Sequence, residues 1–160
     1  MTVTEADIRE IKAHIHPIIG QKAWGVSLGV GSFITLEFGN PVQSKEVSIS
    51  RFTGDWHLWI YCCAWRLEEG NSVLASSEDP RPKLELAVKR MEGLTLDSVE
   101  IFPPAWDTVF MFSEQVVLRL FSIYSEEYEH WMLYTPDGNV LCVGPGSSWS
   151  YESSSAIPRD

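Results

Sequence analysis

The histidine and acidic side chains are the groups of this chain best suited to acid-base catalysis or to metal binding. Asp55 and His57 are two residues apart in a stretch that alternates like a strand. Their side chains therefore share one face and suggest an acid-base pair, but this spacing does not assure a hydrogen bond between them. No nucleophile pattern accompanies them. His14 and His16 fall on different sides of a predicted helix, which does not suit a shared metal ion. The sequence therefore predicts no catalytic residue, no metal and no cofactor, and we expect a protein that is not an enzyme.

The three cysteines do not have the pattern of a disulfide framework or of a metal site. Cys62 and Cys63 are adjacent and face opposite sides of a predicted strand, and Cys142 is distant in sequence. We therefore expect reduced thiols in the core. The N-terminus lacks the basic and apolar regions of a secretory signal, and no apolar run is long enough to span a membrane. Together these features predict a cytoplasmic protein without a membrane partner.

Seven tryptophans are many for a chain of this length. Trp59, Trp65 and Trp131 lie in predicted strands, where they could line a hollow β structure and bind an apolar or flat ligand. The alternative is that they are ordinary core residues. A small-molecule-binding domain with a tryptophan-lined cavity is accordingly the second functional hypothesis.

Negative charge is concentrated in the second half of the chain. Residues 93–160 carry ten acidic side chains against two arginines, whereas residues 1–92 are nearly balanced. Glu126, Glu127 and Glu129 surround Tyr128 between two predicted strands, and aromatic groups ringed by acid suit a basic protein surface. Such a field repels nucleic acid and anionic membranes. The leading hypothesis is a protein partner, basic in character, bound at these four residues; a solvated loop and an acidity that serves only solubility are the alternatives.

The elements that position these side chains are mostly strands. A capping box at Thr4 and Asp7 begins an N-terminal helix, and Asp79 with Pro80 begins a mid-chain helix that Gly93 ends. The composition and length suit one domain over residues 1–150, with residues 151–160 as a flexible tail. The predicted fold class is α+β, mainly antiparallel β, as a curved sheet or partly closed barrel with these two helices.

Residues 56–67 are apolar on both alternating faces, and they are predicted to form one central strand. Exposed strand edges can pair with a second copy of the chain, so the sequence is compatible with a homodimer. Residues 34–38 alternate as a strand with one wet face, which carries Thr35 and Glu37. The other predicted strands are a polar one at residues 46–52, then residues 94–101, Asp107–Phe112, 116–123, Trp131–Tyr134 and 140–143, with turns at residues 113–115 and 135–139.

Several of these strand patterns together resemble small acidic bacterial proteins of the toxin-immunity type. The matching segments are residues 33–39, the tryptophan-centred strand, Asp107–Phe112 and residues 130–138, so the resemblance covers most of residues 24–146. The motifs carry no signature chemistry, and no functional residue can be transferred. The resemblance implies a non-catalytic protein that binds and blocks a toxin, and the charge distribution fits a basic target.

Overall fold

The structure is a computed structural model that describes residues 2–43 and 52–156. Within these residues it contains two α-helices and eleven strands, and the predicted α+β, mainly antiparallel fold class with an N-terminal and a mid-chain helix is confirmed. The elements are α1 (Glu5–Ile15), β1 (Trp24–Leu28), β2 (Ile34–Gln43), β3 (Phe52–Ile60), β4 (Cys63–Glu69), β5 (Ser72–Ser76), α2 (Arg81–Val88), β6 (Leu96–Phe102), β7 (Asp107–Phe112), β8 (Val116–Ser122), β9 (Trp131–Tyr134), β10 (Asn139–Val143) and β11 (Trp149–Ser153). Short 3-10 helices at His16–Ile18 and Lys89–Met91 extend α1 and α2.

The strands form two antiparallel sheets. One has six strands in the order β1-β2-β3-β9-β10-β11, and the other has five in the order β5-β4-β8-β7-β6. Both sheets are open, where the sequence predicted a curved sheet or a partly closed barrel. One face of each sheet is apolar, and the two apolar faces enclose a common core. Phe110 of β7 meets Trp131 of β9 edge to face, with ring centroids 5.7 Å apart, so the sheets are in direct contact.

The stretch at residues 56–67 belongs to two strands, and the prediction of a single central strand is wrong. β3 ends at Ile60 in the six-stranded sheet, and β4 begins at Cys63 in the five-stranded sheet. The alternation shifts by one residue at this crossing, since Ile60 and Cys63 are both buried although they are three positions apart. Apolar residues continue through the crossing because both strands contribute to the same core.

The two helices pack at the sides of this sandwich. α2 contacts the edge strands β1 and β5. α1 packs against β11, where Trp149 Nε1 donates to Asp7 at 3.1 Å and the His14 ring stacks on Tyr151 at 3.7 Å between centroids. The predicted capping box is present, because Thr4 N donates to Asp7 at 2.8 Å and Asp7 N donates back to Thr4 at 3.2 Å. None of the helices among the described residues is long and apolar enough to cross a membrane.

Two further predictions concern the ends of described segments. The polar strand predicted over residues 46–52 lies outside the described residues except for Phe52, which begins β3.

Tyr151 to Ser153, which the sequence assigned to a flexible tail, pair with β10 as the last part of β11. Tyr151 also donates to Asp137 at 2.6 Å. The six-stranded sheet therefore extends past the predicted end of the domain.

Candidate functional site

The outer face of the six-stranded sheet carries a cluster of aromatic side chains. Trp59 alternates with the buried Leu58 and Ile60 on β3, so it points away from the core. Its cross-strand neighbours on this face are Thr35 and Met132. We call the aromatic patch the five residues Phe33, Trp59, Tyr61, Tyr124 and Tyr128.

The rings of the aromatic patch are in continuous contact. Ring centroids of Trp59 and Tyr61 are 4.6 Å apart, and Phe33 lies 4.8 Å from Tyr61. Tyr128 meets Tyr61 edge-on at 6.5 Å and Tyr124 at 5.2 Å. These separations are typical of favourable aromatic pairs. Tyr124 and Tyr128 remain 39% and 50% exposed, so the patch is held by its own ring contacts and is still accessible.

A small apolar cluster supports the patch from the side of the sheet. Met132, Val140 and Cys142 lie on the outer face and yet are almost completely buried, because Trp59, Tyr61 and Tyr134 pack over them. This cluster is separate from the main core and contains no helical residue. Thioether and thiol groups fit irregular gaps beneath aromatic rings. The rings of Trp59 and Tyr61 consequently pack on buried side chains, which hold them in position.

The predicted partner-binding residues lie in a loop beside the patch. We call residues 125–130 the acidic loop. Glu126, Glu127 and Tyr128 are exposed, and Glu129 is half-buried. Two main-chain bonds hold the loop against the crossing between β3 and β4: Tyr61 N donates to the His130 carbonyl at 3.0 Å, and Cys62 N donates to the Glu129 carbonyl at 3.2 Å. The structure therefore brings the acidic residues next to the aromatic patch, of which Tyr128 is a member.

Several carboxylates elsewhere in the molecule have cationic partners, whereas those of the acidic loop have none among the described residues. Arg66 and Arg119 both bind Glu68, and Arg90 binds Glu69 and Glu114. Within residues 2–43 and 52–156, no ion pair involves Glu126, Glu127 or Glu129. The loop thus presents three carboxylates without a cation among the described residues.

His130 anchors the base of the acidic loop. Its side chain is fully buried, with Nδ1 2.8 Å from Ser122 Oγ and Nε2 3.2 Å from the Tyr124 carbonyl. Gly144 lies directly against the ring, since a Cβ there would be 2.7 Å from three ring atoms. Gly146 donates its N–H to the Tyr124 carbonyl at 3.0 Å. This anchor was not predicted from the sequence, in which its only signal is the pair of glycines that flank Pro145.

Burial lowers the pKa of His130 below 6.5, although its bond to the Tyr124 carbonyl and the charges of Asp107 and Glu129 act in the opposite direction. The folded chain therefore binds this proton more weakly than the unfolded chain does. We expect a free energy of unfolding that is unaffected by His130 above pH 6.5 and that falls as the pH drops from 6.5 through the lowered pKa.

Urea unfolding at several pH values tests this expectation, with NMR titration of the histidine rings as a direct readout. His130→Gln should flatten part of the pH dependence and remove one ring signal. Burial also lowers the pKa of His14, so His14→Gln serves as the comparison for a second imidazole that is only half-buried. A His130 ring that titrates at or above 6.5 would contradict the assignment.

His57, which the sequence places two residues from Asp55, has a different acidic partner. His57 Nδ1 lies 2.7 and 2.8 Å from the two carboxylate oxygens of Glu37, while Asp55 accepts the N–H of Asn40 at 2.8 Å. Gly54 N also donates to Glu37 at 3.0 Å. Glu37 is only 4% exposed, so the predicted wet face of β2 is wrong at this position. The pair orients the His57 ring beside Tyr134, 5.8 Å away, at the far end of the outer face from the acidic loop.

The thiols are not activated for nucleophilic chemistry. Burial raises the pKa of Cys63 to about 12, and burial with the charges of Glu129 and Glu152 raises the pKa of Cys142 to about 11. Burial also raises the pKa of Cys62. The thiolate is the reactive form, and these environments disfavour it. In the described part of the chain, no group of three or more His, Cys, Asp or Glu side chains is placed to hold a metal ion.

The three tryptophans of the second hypothesis do not line one cavity. Trp65 and Trp131 are buried between the sheets, where Trp65 Nε1 donates to the Ser32 carbonyl at 2.7 Å and Trp131 Nε1 donates to Thr108 at 3.0 Å. Trp59 lies on the opposite face of the six-stranded sheet. Only Trp59 of the three belongs to a surface that a partner can contact.

Comparison of the chain with models of protein families, with curated proteins and with solved structures found no match.

Proposed function

We propose that this chain is a non-catalytic binding protein that engages and neutralises a basic protein partner, as immunity proteins of toxin systems do. The observation that carries the proposal is the attachment of the acidic loop to the aromatic patch through Tyr128. Charge and accessible aromatic surface are thereby combined in one place. Complementary charge steers association, and tyrosine and tryptophan supply much of the contact energy of protein interfaces.

The distribution of cations supports this choice of face. The outward residues of the central strands of the six-stranded sheet include neither arginine nor lysine in the described residues. Some cations elsewhere have acidic partners, as Arg66 and Arg119 do on β4 and β8. A basic partner meets no repulsion at this face, whereas nucleic acids and anionic membranes do.

The small-molecule alternative has less support, because its three tryptophans lie on two different faces of the six-stranded sheet.

The proposed location of the protein is the cytoplasm. Free thiols are the usual state of cysteine in that compartment, and all three cysteines are free.

The direct test is coexpression of this chain with the product of the reading frame adjacent to its gene. We expect that product to arrest growth when it is expressed alone, and we expect the intact chain to relieve the arrest and to form a stoichiometric complex in size-exclusion chromatography. The matched control is the chain with lysine at positions 126, 127 and 129, which should not relieve the arrest. A toxic neighbour whose effect persists in the presence of the intact chain, or a neighbour without toxicity, would contradict the proposal.

A further inference from the structure

We propose that the outer face of the five-stranded sheet binds the same face of a second copy of this chain, with a two-fold axis close to the direction of β7. We call the docking face six outward side chains of β6, β7 and β8, namely Glu100, Phe102, Val109, Met111, Arg119 and Phe121. This face lies on the opposite side of the sandwich from the aromatic patch. The inference goes beyond the proposed function and does not depend on it.

The docking face exposes large apolar side chains. Phe102 of β6 is 48% exposed and Phe121 of β8 is 62% exposed. Val109 and Met111 of β7, the strand between them, are half-buried. The residues that alternate with these four along the strands are buried in the core, among them Ile101, Phe110 and Leu120. Phenylalanine, methionine and arginine exposed together on one face are typical of the centre of a protein interface.

The strand register makes this face complementary to itself. β6 and β8 run parallel to each other, because both are antiparallel to β7 between them. Glu100 pairs with Val109, which pairs with Arg119, so the three form one row across the sheet. Phe102 and Phe121 follow this row by two residues in the same direction. A half-turn about β7 exchanges the two flanking strands, so it places Arg119 of each copy opposite Glu100 of the other, and Phe121 opposite Phe102.

The packing of two sheets tolerates this arrangement. Facing sheets cross at about 30°, which displaces side chains on strands about 4.8 Å from the axis by only about 2.5 Å along the strand. On β7 itself, Val109 and Met111 meet their own counterparts at the axis. Asp107, at the start of β7, is half-buried and accepts the N–H of Ser122 at 2.8 Å. The centre of the contact is therefore apolar, with the ion pairs on both sides of it.

The charges of the docking face favour the same rotation. Arg119 and Arg66 both donate an Nε–H to one carboxylate oxygen of Glu68, at 3.0 and 2.7 Å. Two guanidinium groups share one carboxylate, so this cluster has one positive charge in excess. Glu100 is exposed, and in the described part of the chain no ion pair involves it. The rotation brings Glu100 of the second copy to Arg119, whose other guanidinium N–H groups can bind it.

The size of the docking face predicts a weak dimer. Three strands, each contributing about six residues, cover roughly 300 Å² per copy. Stable complexes bury about 800 Å² per partner. We therefore expect a dissociation constant on the order of 100 μM, so the chain is monomeric at the lower concentrations at which binding of the basic partner is measured.

Sedimentation equilibrium of the intact chain from about 10 μM to about 1 mM tests the proposal, and we expect the mass to rise from one copy toward two. An ionic strength of about 0.15 M screens the repulsion between two chains of net charge −10. Arg119→Glu and Glu100→Arg each bring like charges together at two places in the dimer. Each variant alone should therefore associate at least about tenfold more weakly than the wild type.

Mixing the two variants is the decisive measurement. In a dimer of one Arg119→Glu copy and one Glu100→Arg copy, both facing pairs are again of opposite charge, so an equimolar mixture should associate within about threefold of the wild type. Both variants keep a negative net charge, so the total charge does not draw them together. The matched control replaces Arg119→Glu with Lys12→Glu, which makes the same change of charge at an exposed position of α1. That mixture should form no heterodimer.

Three results overturn the inference. One is a wild-type chain that stays monomeric at the highest concentration, including one that uses Phe121 to bind a different protein. The second is a dimer whose affinity neither single substitution changes. The third is a mixture of Arg119→Glu and Glu100→Arg that associates no better than each variant alone.

Discussion

The triple substitution Glu126→Lys, Glu127→Lys and Glu129→Lys is expected to abolish binding of the proposed basic partner and to leave the fold intact. The three side chains have no cation among the described residues, so their replacement breaks no ion pair there. Surface changes of this kind alter the free energy of unfolding by about 0.5 kcal/mol or less each. Like charges brought together in an interface cost several kcal/mol, which corresponds to a loss of about a thousandfold or more in affinity.

The measurement is calorimetric titration with the product of the adjacent reading frame, with thermal unfolding as the check of folding. The matched control reverses three exposed glutamates on other elements: Glu10→Lys on α1, Glu78→Lys before α2 and Glu100→Lys on β6. It changes the net charge equally. If both triple variants bind equally weakly, the total charge and not the acidic loop governs binding; if the loop variant binds like the wild type, the loop is not the site.

The substitution Gly54→Ala is expected to lower the free energy of unfolding by about 3 kcal/mol or more. A Cβ at position 54 would lie 2.4 Å from the carbonyl oxygen and 2.8 Å from the amide nitrogen of Phe38 on β2. These are backbone atoms, so they cannot rotate away, and β2 and β3 would have to separate next to their bulge between Phe38 and Pro41. The N–H bond from Gly54 to the buried carboxylate of Glu37 would weaken at the same time.

Urea unfolding followed by fluorescence measures this effect. Gly29→Ala is the matched control, since a Cβ there would lie 3.4 Å from Phe33 Cβ, an ordinary contact, and its backbone needs no positive φ. We expect that variant to stay within about 1 kcal/mol of the wild type. A Gly54→Ala protein with the wild-type midpoint would show that the strands tolerate a side chain at this crossing.

Local patterns were sufficient to predict most elements. Asp107–Phe112 and Trp131–Tyr134 have the predicted bounds, because their alternation is regular and marked turn residues flank them. α2 ends at Val88 and continues as a 3-10 helix to Met91, so the helical segment stops two residues before the predicted end at Gly93, which adopts a φ of +79°. The break after Ile60 could not be predicted in the same way. Its flanking residues are apolar on both sides, and only the division of the core between two sheets determines where the chain crosses.

The site was predictable only in part, for a similar reason. Residues 126–129 formed a recognisable acidic and aromatic group in the sequence, whereas Phe33 and Tyr61 reach Tyr128 only through the pairing of β3 with β9. The partner of His57 depends on the register that places Glu37 opposite it on β2. Long-range register is not encoded in the spacing of any one segment, so contacts of this kind require the folded structure.

The alternation of side chains along β3 has a consequence for how the protein can evolve. Successive side chains of a strand point to opposite faces, so outward residues such as Trp59 alternate with inward residues such as Leu58 and Ile60. A substitution at an outward position changes the surface that a partner can contact and has little effect on the main core. A substitution at an inward position has the reverse effect. Selection for recognition and selection for folding therefore act on interleaved but distinct sets of codons. The residues of one set can change while those of the other set are preserved.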